Sequence, residues 1–195
     1  MLIFYKKKLT SYLFYYLLTY LSVNFIFECN AHYLAFNNMS NYEVYNYEMI
    51  FEVAFFHLLF RKAFTDNRFK ILSSIFFFAF VSFSIINILF FQEITEFNSN
   101  TYTVGCILLL LTGVVFLFND VVKRDEINPL YFPMFWISLG ILFCYLVNFP
   151  FLSNVNQLFI LDARIADNLS IINYTVNVLL YVLIGIGIIC RKQRT

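Results

Sequence analysis

The chain has 195 residues, 61% hydrophobic, 22% aromatic and 13% charged, with a formal net charge of +1 and a mean hydropathy of +0.74. Soluble domains carry about a quarter charged residues, so this composition excludes an ordinary soluble domain, and five Gly and three Pro exclude a low-complexity chain. The class that remains is all-α: a polytopic membrane protein forming a single integral membrane domain.

A membrane span needs about 20 predominantly apolar residues. The first candidate, 11–27 (SYLFYYLLTYLSVNFIF), follows Lys6, Lys7 and Lys8. A basic start and an apolar middle resemble a signal peptide, but the apolar part is long and tyrosine-rich, so it is expected to stay as a span. The second, 43–60, is interrupted by Glu48 and Glu52. Three plainer candidates follow at 71–91, 103–119 and 131–149. Pro129 and Pro133 suit the start of the last of these, and Tyr131 with Trp136 suits an aromatic belt at the inner interface. Residues 150–170 make the longest connection, in which the Leu158–Leu161 run is expected to form an interfacial helix. Arg164 there has Asp167 three residues on to neutralise it. The final candidate is 171–190.

Charge placement decides whether 43–60 crosses. If all six segments cross, one side receives Lys6, Lys7, Lys8, Arg61, Lys62, Arg68, Lys70, Lys123, Arg124, Arg191, Lys192 and Arg194, which is 12 of the 13 basic residues. Basic residues concentrate in cytoplasmic segments. The expectation is therefore a bundle of six transmembrane helices with both termini cytoplasmic, in a cell inner (plasma) membrane.

Glu48 and Glu52 are four apart and share a helical face with Tyr45. At 1.5 Å per residue from Arg61, Glu52 lies roughly 13 Å from the inner boundary, near mid-membrane. An ionised side chain there costs about 2.5–3.5 kcal/mol on insertion scales, while each large apolar residue returns about 0.3–0.6. The segment is marginal alone and is expected to turn this face to the bundle interior, with Glu52 entering as the neutral acid because no Lys or Arg lies at matching depth. Candidate hydrogen-bond partners are the stripe Tyr12, Tyr16, Tyr20 and Asn24 on the first span, Ser82, Ser84 and Asn87 on the third, and Asn173, Asn177 and Tyr181 on the last. His57 lies round the helix from Glu52 and is not expected to be its partner. Two readings stand side by side: a structural polar network, or a ligand, proton or ion site around Glu52.

No catalytic pattern accompanies these residues. Only His32 and His57 exist, no H-E-x-x-H, P-loop or nucleophile elbow occurs, and Asp66, Asp120, Asp125, Asp162 and Asp167 all map to loops. The cysteines Cys29, Cys106, Cys144 and Cys190 show no C-x-x-C spacing and read as small packing residues. Gly105, Gly113, Gly140, Gly185 and Gly187 permit close helix contact. Neither a metal nor a cofactor is expected, and the basic clusters are too small and scattered for nucleic acid.

The stretches "NYEVYNYEMIFEVAFF", "FRKAFTDNRFK", "INILFFQEITEFNSNTYTVG", "NPLYFPMFWISLGILFCY" and "INYTVNVLLYVLIGIG" resemble a group of small, uncharacterised multi-pass membrane proteins of Bacteroidota. The resemblance runs from about residue 42 onward; members of that group carry a longer N-terminal region. They are sometimes encoded near sensor histidine kinase genes, which implies an accessory role in envelope signalling with a membrane sensor kinase as partner. The functional expectation is thus a non-enzymatic sensory or accessory membrane protein. The alternative is a proton-linked transporter or an oligomeric pore, formed by self-association and using Glu52.

Overall fold

The computed structural model describes residues 2–123, 128–161 and 163–190, with side chains described outside 2–11, 159–161 and 163–169. The Arg164–Asp167 pair, Lys6 to Lys8, and the basic residues 124, 191, 192 and 194 fall outside the described side chains.

Every regular element among the described residues is helical: α1 Leu2–Phe36, α2 Tyr42–Ala63, α3 Asn67–Phe90, α4 Ser99–Phe116, α5 Pro133–Leu152, α6 Val155–Leu161 and α7 Ala163–Ile189. Local chemistry sets several of the ends. α1 runs past its expected limit to a turn in which Asn38 takes φ 58° and Met39 N–H donates back to Leu34 O at 2.9 Å, the left-handed exit that Asn tolerates best after Gly. α2 contains neither Gly nor Pro, and it has Glu43 in its first turn and Arg61 and Lys62 in its last, each favoured by the helix dipole. Asp66 caps α3 by accepting from Arg68 N–H at 2.9 Å. Pro133 opens α5 at its first turn as expected, where the missing N–H costs nothing. A short helix does occupy 155–161, around the apolar run that suggested one.

α5 and α7 share the most extensive packing, α2 lies against α1, α3 and α4, and α4 bridges α2 and α3 to α5. Small residues sit where helices come closest. A Cβ on Gly105 would stand 2.7 Å from Phe80 Cε2 and 3.2 Å from Val53 Cγ2, and one on Gly140 would stand 3.1 Å from Leu183 Cβ. Gly185 differs from the expectation for glycines, with open space beside it.

Among the described residues, four helices are long and apolar enough to cross a membrane: Asn67–Phe90, Ser99–Val122, Pro133–Leu152 and Ser170–Ile189. Their outward faces are apolar, with Ile71, Ile75, Phe78 and Leu89 of α3 and Ile171, Val178 and Val182 of α7 exposed, as a lipid solvent requires and water does not favour. α2 falls short of that apolarity because of Glu43, Glu48 and Glu52. It is instead a packed interior helix, with Val53, Phe56, His57 and Phe60 fully shielded.

Two expectations about charged and polar groups are corrected here. Asp120 is not in a loop: α4 continues into a π-helical turn, Leu117–Val122, and Asp120 within it is 2% exposed. It accepts hydrogen bonds from Thr65 N at 3.1 Å and Thr65 Oγ1 at 2.6 Å, tying the α2–α3 turn to the end of α4. The tyrosine stripe of α1 also divides between two duties. Tyr12 and Tyr16 hold Lys62 Nζ over their rings at 3.9 and 4.4 Å, a cation–π arrangement at the end of the bundle away from Glu48, whereas Tyr20 turns inward.

Candidate functional site

The carboxyl-bearing face of α2 borders a cavity of about 240 Å³ between α1, α2, α5 and α7. Four elements furnish its walls with polar groups at helical spacing. α1 brings Asn24 and Glu28; α2 brings Tyr42, Tyr45, Glu48 and Glu52; α5 brings Cys144, Tyr145 and Asn148; α7 brings Ser170, Asn173, Tyr174, Asn177 and Tyr181. Phe97 and Tyr102 close one side, while Phe151 and Val155 stand toward the α5–α6 end.

Glu52 lies deepest. Tyr20, completely buried, donates its hydroxyl to Glu52 Oε1 at 2.5 Å. The Tyr20 ring is held between Phe55 and Phe56, centroids 5.1 and 5.0 Å away, so the donor has little freedom to leave. The Tyr145 hydroxyl faces the same carboxyl without reaching hydrogen-bond geometry, and the Tyr145 ring stacks on Tyr102 at 6.1 Å and 10°. Beyond Glu52 aromatic rings follow: Phe56, Phe60, Phe64 and Phe116 are all fully buried, and Phe116 packs on both Phe60 and Phe64, at 5.5 and 5.3 Å. The cavity therefore ends at Glu52.

A second polar chain runs along the opposite wall. Asn148 Nδ2 donates to Cys144 Sγ at 3.6 Å, Cys144 Sγ donates to Asn177 Oδ1 at 3.2 Å, and Asn177 Nδ2 donates to Asn173 Oδ1 at 3.2 Å. Cys144 is thus a member of the polar wall rather than a packing residue. Its thiol meets an amide and no base, so the arrangement supplies no activated nucleophile. Two buried acceptors are left over: Asn148 Oδ1 and Asn24 Oδ1 make no hydrogen bond, each in a residue 4% exposed. Tyr181 lies beside Asn24.

Of the residues singled out from sequence, Tyr45, Glu48, Glu52, Asn173, Asn177 and Tyr181 line this one cavity. Asn87 does not. Its amide donates to Gln92 Oε1 and Thr101 Oγ1, both at 3.0 Å, and its Oδ1 accepts from Asn100 Nδ2 at 3.3 Å, so it joins the end of α3 to the start of α4. Ser84 bonds back to Phe80 O at 2.8 Å and Ser82 faces outward; neither approaches Glu52. His57 points to the far side of α2, where Thr112 Oγ1 lies 3.4 Å from Nδ1. Sequence reading passed over Tyr102, Tyr145 and Asn148. Tyr145 and Asn148 stand three apart within an apolar helix, and that spacing was the available signal.

Asn46 was also missed, and it supports the site from outside. Fully buried, it donates through Nδ2 to Ile94 O at 2.9 Å and Glu96 O at 2.7 Å, and it accepts from Asn98 N–H at 2.8 Å. Asn156 of α6 adds a bond to Phe97 O at 2.8 Å. Together they pin the α3–α4 connection, and with it Phe97, against the cavity.

Compared with known protein families, curated proteins and solved structures, the chain matches none.

Proposed function

We propose that the chain is a non-enzymatic, multi-pass protein of a bacterial inner membrane that binds a small ligand in the α1–α2–α5–α7 cavity and reports its occupancy to a signalling partner. In this reading all six long helices cross the bilayer with both ends cytoplasmic. The cavity opens on the outer side, and α2 crosses despite its glutamates because its neighbours shield them. The observation that carries the proposal is the cavity itself: lined by polar and aromatic side chains, bordered by two carboxyls of α2 at mid-helix, and followed by aromatic packing below Glu52. Intramembrane ionisable residues are costly and mark functional positions. A cavity that ends inside the bundle suits binding better than conduction. A carrier using Glu52 would need access from both faces, and Phe56, Phe60, Phe64 and Phe116 occupy the inner path.

Orientation is testable with a native group. Cys29 is exposed at the end of α1 near the cavity, and Arg68 is exposed at the opposite end of the bundle. A membrane-impermeant maleimide added to intact cells should label Cys29. In a protein carrying Arg68→Cys and Cys29→Ser, the same reagent should leave position 68 unlabelled until the membrane is opened. Labelling of position 68 from outside would refute the proposed topology. For the signalling role, crosslinked purification from the native membrane should recover a sensor kinase with the chain; recovery of homo-oligomers alone would favour the pore.

A further inference from the structure

Resting on that ligand-pocket reading, we propose that the cavity takes a small organic amine in its ammonium form, recognised by hydrogen-bond acceptors and tyrosine rings. Glu28, Glu48 and Glu52 border the cavity with no Lys, Arg or His among the lining residues. Three donors near its floor are already engaged, the Tyr20 hydroxyl by Glu52, Asn148 Nδ2 by Cys144 and Asn177 Nδ2 by Asn173, while the buried Tyr145 hydroxyl beside Glu52 is not. Against these stand Asn24 Oδ1 and Asn148 Oδ1, buried and unpaired. A buried acceptor without a donor is costly, and an N–H-bearing cation supplies donors and charge together.

Two further features narrow the class. Tyr45, Tyr102, Tyr145 and Tyr181 line the cavity together with the carboxyls, and aromatic rings are the side chains that recognise ammonium groups by cation–π contact. Among the described residues, no three His, Cys, Asp or Glu are gathered closely enough to hold a metal ion, so the carboxyls suit an extended organic cation better than a bare metal. A volume of about 240 Å³ lies below the roughly 300–1,000 Å³ of drug-sized sites, which limits the ligand to a small amine.

The test uses the purified full chain in lipid nanodiscs and isothermal titration calorimetry. 1,4-Diaminobutane is the probe, with 1,4-butanediol and succinate as matched uncharged and anionic controls. The amine should bind and the controls should not. Glu48→Gln, which keeps the side chain's size, should weaken amine binding roughly tenfold or more, because a buried charge partner is lost. Equal binding of the diol, or unchanged amine affinity in both Glu48→Gln and Glu52→Gln, would overturn the proposal; the diol comparison needs no variant. Absence of amine binding also overturns it, and a cysteine at position 45 shows how far the failure reaches. If Tyr45→Cys, in a Cys29→Ser, Cys144→Ser background, is alkylated by a small water-soluble reagent, the cavity is open and the amine inference alone falls. If it is inert, the ligand-pocket reading falls as well.

Discussion

Replacing Asn46 by alanine is expected to destabilise the folded protein by about 2–4 kcal/mol, from three hydrogen bonds worth roughly 0.5–1.5 kcal/mol each and the cost of leaving their partners unmet. One fully buried side chain satisfies Ile94 O, Glu96 O and Asn98 N–H, and Asn98 is the residue from which α4 starts. Neither water nor lipid can replace those bonds in a packed interior. Leucine at the same position should be no better, since it fills the volume but offers neither donor nor acceptor. The measurement is thermal unfolding of wild type and variant in the same detergent. The accompanying expectation is faster hydrogen exchange at Glu96, Phe97 and Asn98. Indistinguishable unfolding midpoints would show that the α3–α4 connection is not held in this way.

The second large effect is expected at Glu52, where two substitutions separate. Glu52→Gln keeps an oxygen to accept from the Tyr20 hydroxyl and should fold with stability close to wild type. Glu52→Leu leaves that hydroxyl without an acceptor inside an aromatic cage, at a cost of about 1–3 kcal/mol for a buried unsatisfied group. Tyr20 cannot easily turn elsewhere, because Phe55 and Phe56 flank its ring. If wild type and Glu52→Leu melt together, the Tyr20–Glu52 bond does not contribute to assembly. If Glu52→Gln unfolds as readily as the leucine variant, a neutral acceptor is not what Tyr20 requires. Both results are independent of amine binding, which Glu52→Gln is expected to weaken while it preserves the fold.

The chain's helical membrane character was legible in its composition, and four of its long helices were legible in runs of apolar residues, because hydropathy along one segment is a local property. So was the shared face of Tyr45, Glu48 and Glu52, and that of Asn173, Asn177 and Tyr181, because helical periodicity alone puts such residues in line. What lies opposite each face was not legible. Tyr12, Tyr16 and Tyr20 have the same spacing, yet two of them hold Lys62 and the third holds Glu52. Asn87 and Asn148 are both amides within apolar helices, yet one fastens a connection and the other lines the cavity. Asp120 looked solvated until the π-helical turn and Thr65 enclosed it. Sequence by itself determined which groups each helix carries into the interior; the rotation, depth and crossing of the helices decided which of those groups meet, because such contacts depend on side-chain packing between segments far apart in the chain.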